Sequence, residues 1–233
     1  VIERWTMLFR SPPLIERWRK GEALEAERTV AEAIIEQWRD RLHDISWFMR
    51  CLNEHLARLA NREDERTGRF WEGRFRSQAL LDEAGLLTAM AYVDLNPVRA
   101  GIAKTPEDSE FTSICERIER LTSRGGNKIP LRSFSDEDGT PRAIPYKLRD
   151  YLALVDWSGR LIREDKPGAI DAALPSILVR LGIRPDAWQT LVARRRRLFG
   201  RGMGRVDAMR LHATTLGQAW IRGVRNAERV FAR

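Results

Sequence analysis

Apolar residues recur at helical spacing along most of the chain. Between Asp44 and Arg62 they fall at Ile45, Phe48, Met49, Leu52, Leu56 and Leu59. Intervals of three, four and seven put these on one helical face, and Asp44 stands before them as an N-cap. Glu22 to Arg39, rich in Ala, Glu and Leu, predicts a helix ahead of it. Three short echoes, Ile2-Glu-Arg-Trp5, Ile15-Glu-Arg-Trp18 and Ile35-Glu-Gln-Trp38, stand at unequal offsets, so they read as a recurring helix pattern and not as a repeat array. The period changes at Arg69–Leu81. Phe70, Trp71, Phe75 and Ala79-Leu80-Leu81, broken by Gly68 and Gly73, predict one or two strands. Asp82 then caps a helix running through Leu86, Leu87, Met90 and Val93 to about Asn96. Pro97 discourages its continuation and Gly101 marks the exit.

A second break spans Thr122 to Pro145, with Gly125-Gly126, Pro130, a polar run over Ser133–Thr140, and Pro141; it predicts a surface loop or linker. Helical patterns resume at Pro145–Asp156, Leu174–Leu181, Pro185–Phe199, Val206–Leu216 and Gln218–Phe231. The expected plan is mainly α with a short β segment, arranged as residues 1–121, a linker at 122–144, and a basic helical region at 145–233. Val1-Ile-Glu-Arg-Trp5 reads as the middle of a helix without a cap, so the chain is expected to be a fragment lacking its N-terminal part.

Composition narrows the class. The chain has 233 residues, 43% of them apolar and 32% charged, the balance of a globular protein. No run approaches the roughly 18 apolar residues a membrane span needs, and no signal peptide opens the sequence. Two cysteines, Cys51 and Cys115, without a C-x-x-C pair, speak against a disulfide scaffold or a thiolate zinc site. The expected setting is cytoplasmic and reducing. Net charge is +8, and residues 184–233 hold 12 Arg against Asp186, Asp207 and Glu228. That last fifth of the chain carries the whole imbalance. Concentrated arginine suits a polyanion, because its planar fork matches phosphate; 36 of the 41 basic residues are Arg, however, which a base-composition bias would also produce.

Two stretches carry candidate chemistry. In Arg69-Phe-Trp-Glu-Gly-Arg-Phe-Arg-Ser77, Arg69, Arg74 and Arg76 alternate with Phe70, Trp71 and Phe75. Arginine fixes phosphates while an aromatic face stacks on an unpaired base, a mix suited to single-stranded nucleic acid. The same pattern also describes a half-buried strand with its aromatics inside. In Tyr92-Val-Asp-Leu-Asn-Pro-Val-Arg-Ala-Gly101, Tyr92 shares a helical face with Thr88 and Asn96, and with Arg99 if the turn persists. A tyrosine hydroxyl becomes a useful nucleophile when a cation polarises its electrophile, and Asn96 offers an oxygen to a hard metal or a phosphate. By pattern alone Tyr92 also reads as a core aromatic. Arg194-Arg-Arg-Arg197, within a helix pair of helix–turn–helix length, fits duplex or hairpin binding and equally a solvated charged face.

Trp47-Phe-Met-Arg-Cys-Leu-Asn-Glu54, Gly68-Arg-Phe-Trp-Glu-Gly-Arg-Phe-Arg-Ser-Gln78 and Tyr92-Val-Asp-Leu-Asn-Pro-Val-Arg-Ala-Gly101 occur in that order. Together they resemble the bacterial REP-associated tyrosine transposases, a branch of the single-tyrosine HUH superfamily. The likeness spans about Ile45 to Ile118, and Leu148-Arg-Asp-Tyr-Leu-Ala-Leu-Val-Asp-Trp157 looks like the extension of one subgroup. The resemblance implies a remnant of an α+β ferredoxin-like domain followed by a helical C-terminal region. It implies cleavage and rejoining of single-stranded hairpin DNA through a 5′-phosphotyrosine, with Tyr92 as nucleophile and Asn96 as a metal-shell residue. It also implies a divalent metal, Mg²⁺ or Mn²⁺, held by a His-hydrophobic-His pair.

The only histidines are His43, His55 and His212, none with a partner at i+2. This chain is therefore expected to carry the tyrosine half of the site without the metal half, to leave the metal unbound, and to be catalytically impaired. The expected DNA contacts are Arg69, Trp71, Arg74, Arg76, Arg99 and Arg194, Arg195, Arg196 and Arg197, with a homodimer as one expected assembly. The alternative is a non-catalytic DNA-binding remnant or regulator of transposition. A helical RNA-binding protein has less behind it, since no RNA-module signature occurs.

Overall fold

A computed structural model describes residues 1–122, 130–135, 143–162 and 176–231, with the side chains of residues 161, 176 and 193–196 outside the description. The chain divides into two compact units, Val1–Arg76 and Ser77–Arg233. The division does not fall at the boundary expected near residue 121.

The first unit is four helices: α1 (Ile2–Thr6), α2 (Pro13–Lys20), α3 (Glu25–His43) and α4 (Ile45–Glu63). Pro13 opens α2, where its missing N–H costs nothing, and Gly21 closes it at φ +76°. The three sequence echoes acquire a physical meaning here. Ile2 and Trp5, Ile15 and Trp18, and Ile35 and Trp38 all belong to one apolar cluster, each pair supplied by a different helix at i, i+3. Trp5 and Trp38 stack at its centre, with ring centroids 4.9 Å apart and planes 6° apart. Such a pair adds about 0.5–1.5 kcal/mol beyond the area it buries.

Helix α4 begins as expected, with the Asp44 carboxylate accepting from the Ser46 N–H at 2.7 Å. Its apolar face is not buried. Phe48 is 60% exposed and Ile45 57%, Leu52, Leu56 and Leu59 stand near 40%, and no residue of the helix is fully buried. The periodicity located the face but not a partner for it. The strand expected over Arg69–Leu81 is also largely absent: only Ala79–Leu80 is extended into a ladder. The chain over residues 68–72 is held by local side-chain bonds that compete with strand pairing. Arg69 donates to the carbonyls of Trp71 (2.8 Å) and Glu72 (2.6 Å), and Asn61 to that of Gly68 (3.0 Å).

The second unit contains β1 (Ala79–Leu80), α5 (Glu83–Asp94), α6 (Asn96–Arg99), α7 (Ser113–Leu121), α8 (Leu148–Ile162), α9 (Ser176–Arg180), α10 (Pro185–Leu198), β2 (Gly202–Met203), α11 (Val206–Thr215) and α12 (Val224–Val230). The two strands pair in parallel, Ala79 opposite Gly202 and Leu80 opposite Met203. Asp82 ties this joint together. One carboxylate oxygen caps α5 by accepting from the Gly85 N–H at 2.8 Å, and the other accepts from the Arg205 N–H. Helix α5 packs so near β2 that a Cβ on Gly85 would lie 2.5 Å from the Met203 carbonyl oxygen.

One core runs through this unit, from Leu87, Ala91 and Leu95 to Tyr151, Leu154, Trp188, Leu191 and Phe199. Helices on both sides of the expected linker therefore share a single interior. Parts of that linker, residues 123–129 and 136–142, lie outside the described residues. Of the remainder, Phe134 is fully buried and bridges in parallel to Ile144, so this piece is not the surface loop its polar surroundings suggest. Buried Trp188 satisfies its indole N–H on Ser158 Oγ at 2.8 Å. The start of the helix expected at Leu174 lies outside the described residues, and the helix expected from Gln218 begins only at Val224, after Gly223 at φ +112°. Among the described residues no helix is long and apolar enough to cross a membrane.

Candidate functional site

Pro97 interrupts α5 less than expected. Leu95 donates to the Ala91 carbonyl and Arg99 to the Leu95 carbonyl, both at 3.0 Å, so the helical ladder runs on into α6 with Pro97 in its first turn. Proline is tolerated there because a first-turn N–H has no intrahelical acceptor to lose. The turn then ends at Gly101, φ +70°. Thr88, Tyr92, Asn96 and Arg99 consequently share one face, and burial declines along it as far as Asn96. Thr88 is buried, with its hydroxyl on the Ala84 carbonyl at 2.7 Å; Tyr92 is half-buried against the core; Asn96 is exposed. The Arg99 guanidinium lies over the Tyr92 ring, 4.8 Å from its centroid. Arg99 is itself half-buried, so the pair lies at the edge of the core.

Asp94, which the sequence motifs do not single out, fixes where this face points. It is buried, accepting at Oδ1 from Ser113 Oγ (3.0 Å) and the Ile114 N–H (3.2 Å), and at Oδ2 from the Tyr151 hydroxyl. One carboxylate thereby locks the end of α5 to the start of α7 and to α8. Burial holds its carboxyl above the usual carboxylate range, partly offset by the bonds from Tyr151, Ser113 and Ile114 and by the charge of Arg117. Burial and the facing Asp94 charge likewise push the Tyr151 phenol up. A signal existed in the sequence: Asp94 lies on the same helical stripe as Leu87 and Ala91, where a carboxylate must find partners or lose its charge.

The aromatic and basic segment lies in the first unit. Trp71 donates its indole N–H to the Asn53 carbonyl at 2.9 Å, and Phe70 meets it edge-on at 4.9 Å. Phe70 and Trp71 remain about 40% exposed, and Arg74 and Arg76 project into solvent. Arg69 uses its guanidinium to staple the loop. In the second unit Arg197 is exposed, while the side chains of Arg194, Arg195 and Arg196 lie outside the described residues.

The three histidines stand on three different helices. His43 ends α3 with Nδ1 on the Arg39 carbonyl at 2.6 Å, His55 is exposed on α4, and His212 lies on α11. Among the described residues no three of His, Cys, Asp or Glu stand close enough to hold an ion. A scan against protein-family models, a search of curated proteins and a search of solved structures return no match to this chain.

Proposed function

We propose that this chain is a cytoplasmic DNA-processing protein of the single-tyrosine HUH transposase type, which binds single-stranded or hairpin DNA and carries the tyrosine half of a strand-transfer site. The observation that supports it most is the continuous Tyr92–Asn96–Arg99 face, with a guanidinium over the ring of the candidate nucleophile. In the proposed reaction the Tyr92 oxygen attacks the phosphorus of a phosphodiester, a Tyr–O–P bond forms, and the P–O3′ bond breaks. The phenol proton leaves to solvent or a base, and the 3′ oxygen takes a proton from solvent and departs as a hydroxyl. Arg99 would orient the phosphate and offset charge on its oxygens. A divalent cation in the intact family would polarise that phosphate; no step here runs through one.

The accompanying fold reading is a remnant of a ferredoxin-like α+β domain with a helical extension. The passage from β1 straight into the tyrosine helix supports it. The wide separation of the histidines along the chain favours a second reading, a DNA-binding protein without strand-transfer activity. The test is incubation with a single-stranded hairpin oligonucleotide and Mn²⁺, with Tyr92→Phe alongside, followed by a denaturing gel. An adduct that disappears in the variant supports the nucleophile. Salt-sensitive binding without an adduct supports the second reading, and a chain that does not bind the oligonucleotide refutes both.

A further inference from the structure

The C-terminal arginine excess is not spread evenly over the folded surface. Of the three acids after residue 184, Asp186 pairs with Arg184 at 2.6 Å and Glu228 with Arg210 at 3.6 Å. Among the described residues, Arg197, Arg201, Arg205, Arg222, Arg225 and Arg229 have no carboxylate within ion-pairing distance.

Backbone contacts gather most of these at one corner. The Gly200 N–H donates to the Arg222 carbonyl at 3.2 Å, and a Cβ on Gly202 would stand 3.5 Å from Ile221 Cδ1. Residues 200–202 and 220–222 thus lie alongside each other. Ile221 and Gly202 turn inward and are buried, which sends Arg201, Arg222 and Trp220 to the solvent side. Trp220 is 74% exposed, an unusual outlay of aromatic surface. Beyond Gly223, Arg225 and Arg229 continue the stripe along the exposed face of α12 at i, i+4.

The corner is held in place. Gly223 takes φ +112° with no room for a side chain: a Cβ would come 2.8 Å from the Phe199 ring. Arg222 donates to the Arg197 carbonyl at 2.9 Å, and Asn226 to that of Leu198 at 2.6 Å. An exposed indole beside a row of uncompensated guanidinium groups matches the repeating chemistry of an unpaired strand, an aromatic base followed by a phosphate.

We propose that this corner is a single-stranded DNA binding surface in which Trp220 stacks on a base while Arg201, Arg225 and Arg229 contact successive phosphates. It rests on the DNA-processing reading above, and adds a second contact surface separate from the Tyr92 face. Base stacking is sequence-tolerant, so the surface reads strandedness and not sequence.

The test uses the full chain and fluorescence anisotropy over a range of KCl. The probes are an oligo-dT, an abasic oligonucleotide of equal length, and a hairpin. Wild type binds oligo-dT more tightly than the abasic strand, and Trp220→Ala weakens oligo-dT binding about tenfold while leaving the abasic strand unchanged. Arg201→Gln/Arg225→Gln/Arg229→Gln reduces the slope of log K against log salt by about 2, at roughly 0.7 for each phosphate that is no longer neutralised. A control with equal charge removal at carboxylate-paired positions, Arg160→Gln/Arg184→Gln/Arg210→Gln, leaves the slope near that of wild type. Equal slopes for the two triple variants, or equal oligo-dT binding by wild type and Trp220→Ala, overturn this proposal while hairpin binding keeps the Tyr92 reading alive. A chain that binds none of the probes overturns both. Circular dichroism of each variant checks that the fold is intact.

Discussion

Gly85→Ala and Gly159→Ala make the same change inside a helix and are expected to have opposite signs. Replacing a helical glycine with alanine is worth up to about 1 kcal/mol in backbone propensity. At Gly159 on α8 the new methyl finds room, 3.6 Å from a Pro106 carbon and 3.7 Å from a Leu95 methyl. Much of the propensity gain is therefore retained. At Gly85 the methyl would stand 2.5 Å from the Met203 carbonyl oxygen and 3.2 Å from its carbon, where ordinary contact begins at 3.4 Å. One side must retreat by nearly an ångström.

The carbonyl cannot do so cheaply. It accepts from the Leu81 N–H at 2.9 Å, and its neighbour Gly202 is itself confined between the His212 ring and Leu81. Moving α5 instead strains the Gly85–Asp82 cap. Overpacking of this kind costs roughly 1–3 kcal/mol, and a broken backbone bond adds about 1 kcal/mol. After the propensity gain, Gly85→Ala should destabilise by about 1–3 kcal/mol, lowering Tm by roughly 3–10 °C. Gly159→Ala should raise Tm by a degree or two. Scanning calorimetry at fixed protein concentration measures both. A Gly85→Ala protein as stable as wild type would refute the close α5–β2 approach.

Two further outcomes follow from the interior. Because burial raises the Asp94 carboxyl, the folded protein binds this proton more tightly than the unfolded chain does. Its contribution to stability is then complete below about pH 4 and declines as pH rises through the raised value. The stability of wild type relative to Asp94→Asn, from urea titrations at several pH values, should therefore be greatest in acid and fall toward neutrality; a difference that grows with pH would contradict the burial. Trp38→Ala removes the stacked partner of Trp5 and should cost about 3–5 kcal/mol with loss of near-ultraviolet dichroism. A cost below about 1 kcal/mol, less than the stacking and burial of the ring together, would mean that the first unit does not depend on this pair.

Local signals in the sequence translated well. Asp44 and Asp82 cap the helices they precede, Gly101 ends the turn after Pro97, and the Tyr92–Asn96–Arg99 face survives the proline because a first-turn proline sacrifices no hydrogen bond. What depends on distant chain did not show. Ala79-Leu80 finds its ladder partner in Gly202-Met203, a dipeptide without any strand pattern of its own, so the longer strand expected around it had nothing to pair with. Phe134 sits in a polar run that reads as linker, and only the rings and helices it packs against reveal it as core. Periodicity identified the apolar face of α4 but was silent on whether anything lies against it. Asp94 was legible in principle, as an acid on a buried stripe, yet its role emerges only once Tyr151 and Ser113 are placed beside it.

The joint at Asp82 has a consequence for how the protein is made. Its two backbone partners, Gly85 and Arg205, sit 3 and 123 positions away, and β1 stays unpaired until β2 has been synthesised. At roughly 5–20 residues per second, a ribosome needs about 6–25 s to cover that interval. The first unit, whose helices α1 to α4 are neighbours in sequence, can close during that time. Helix α5 emerges early with an apolar face and a waiting strand, and both stay uncovered on the nascent chain until β2 has been made.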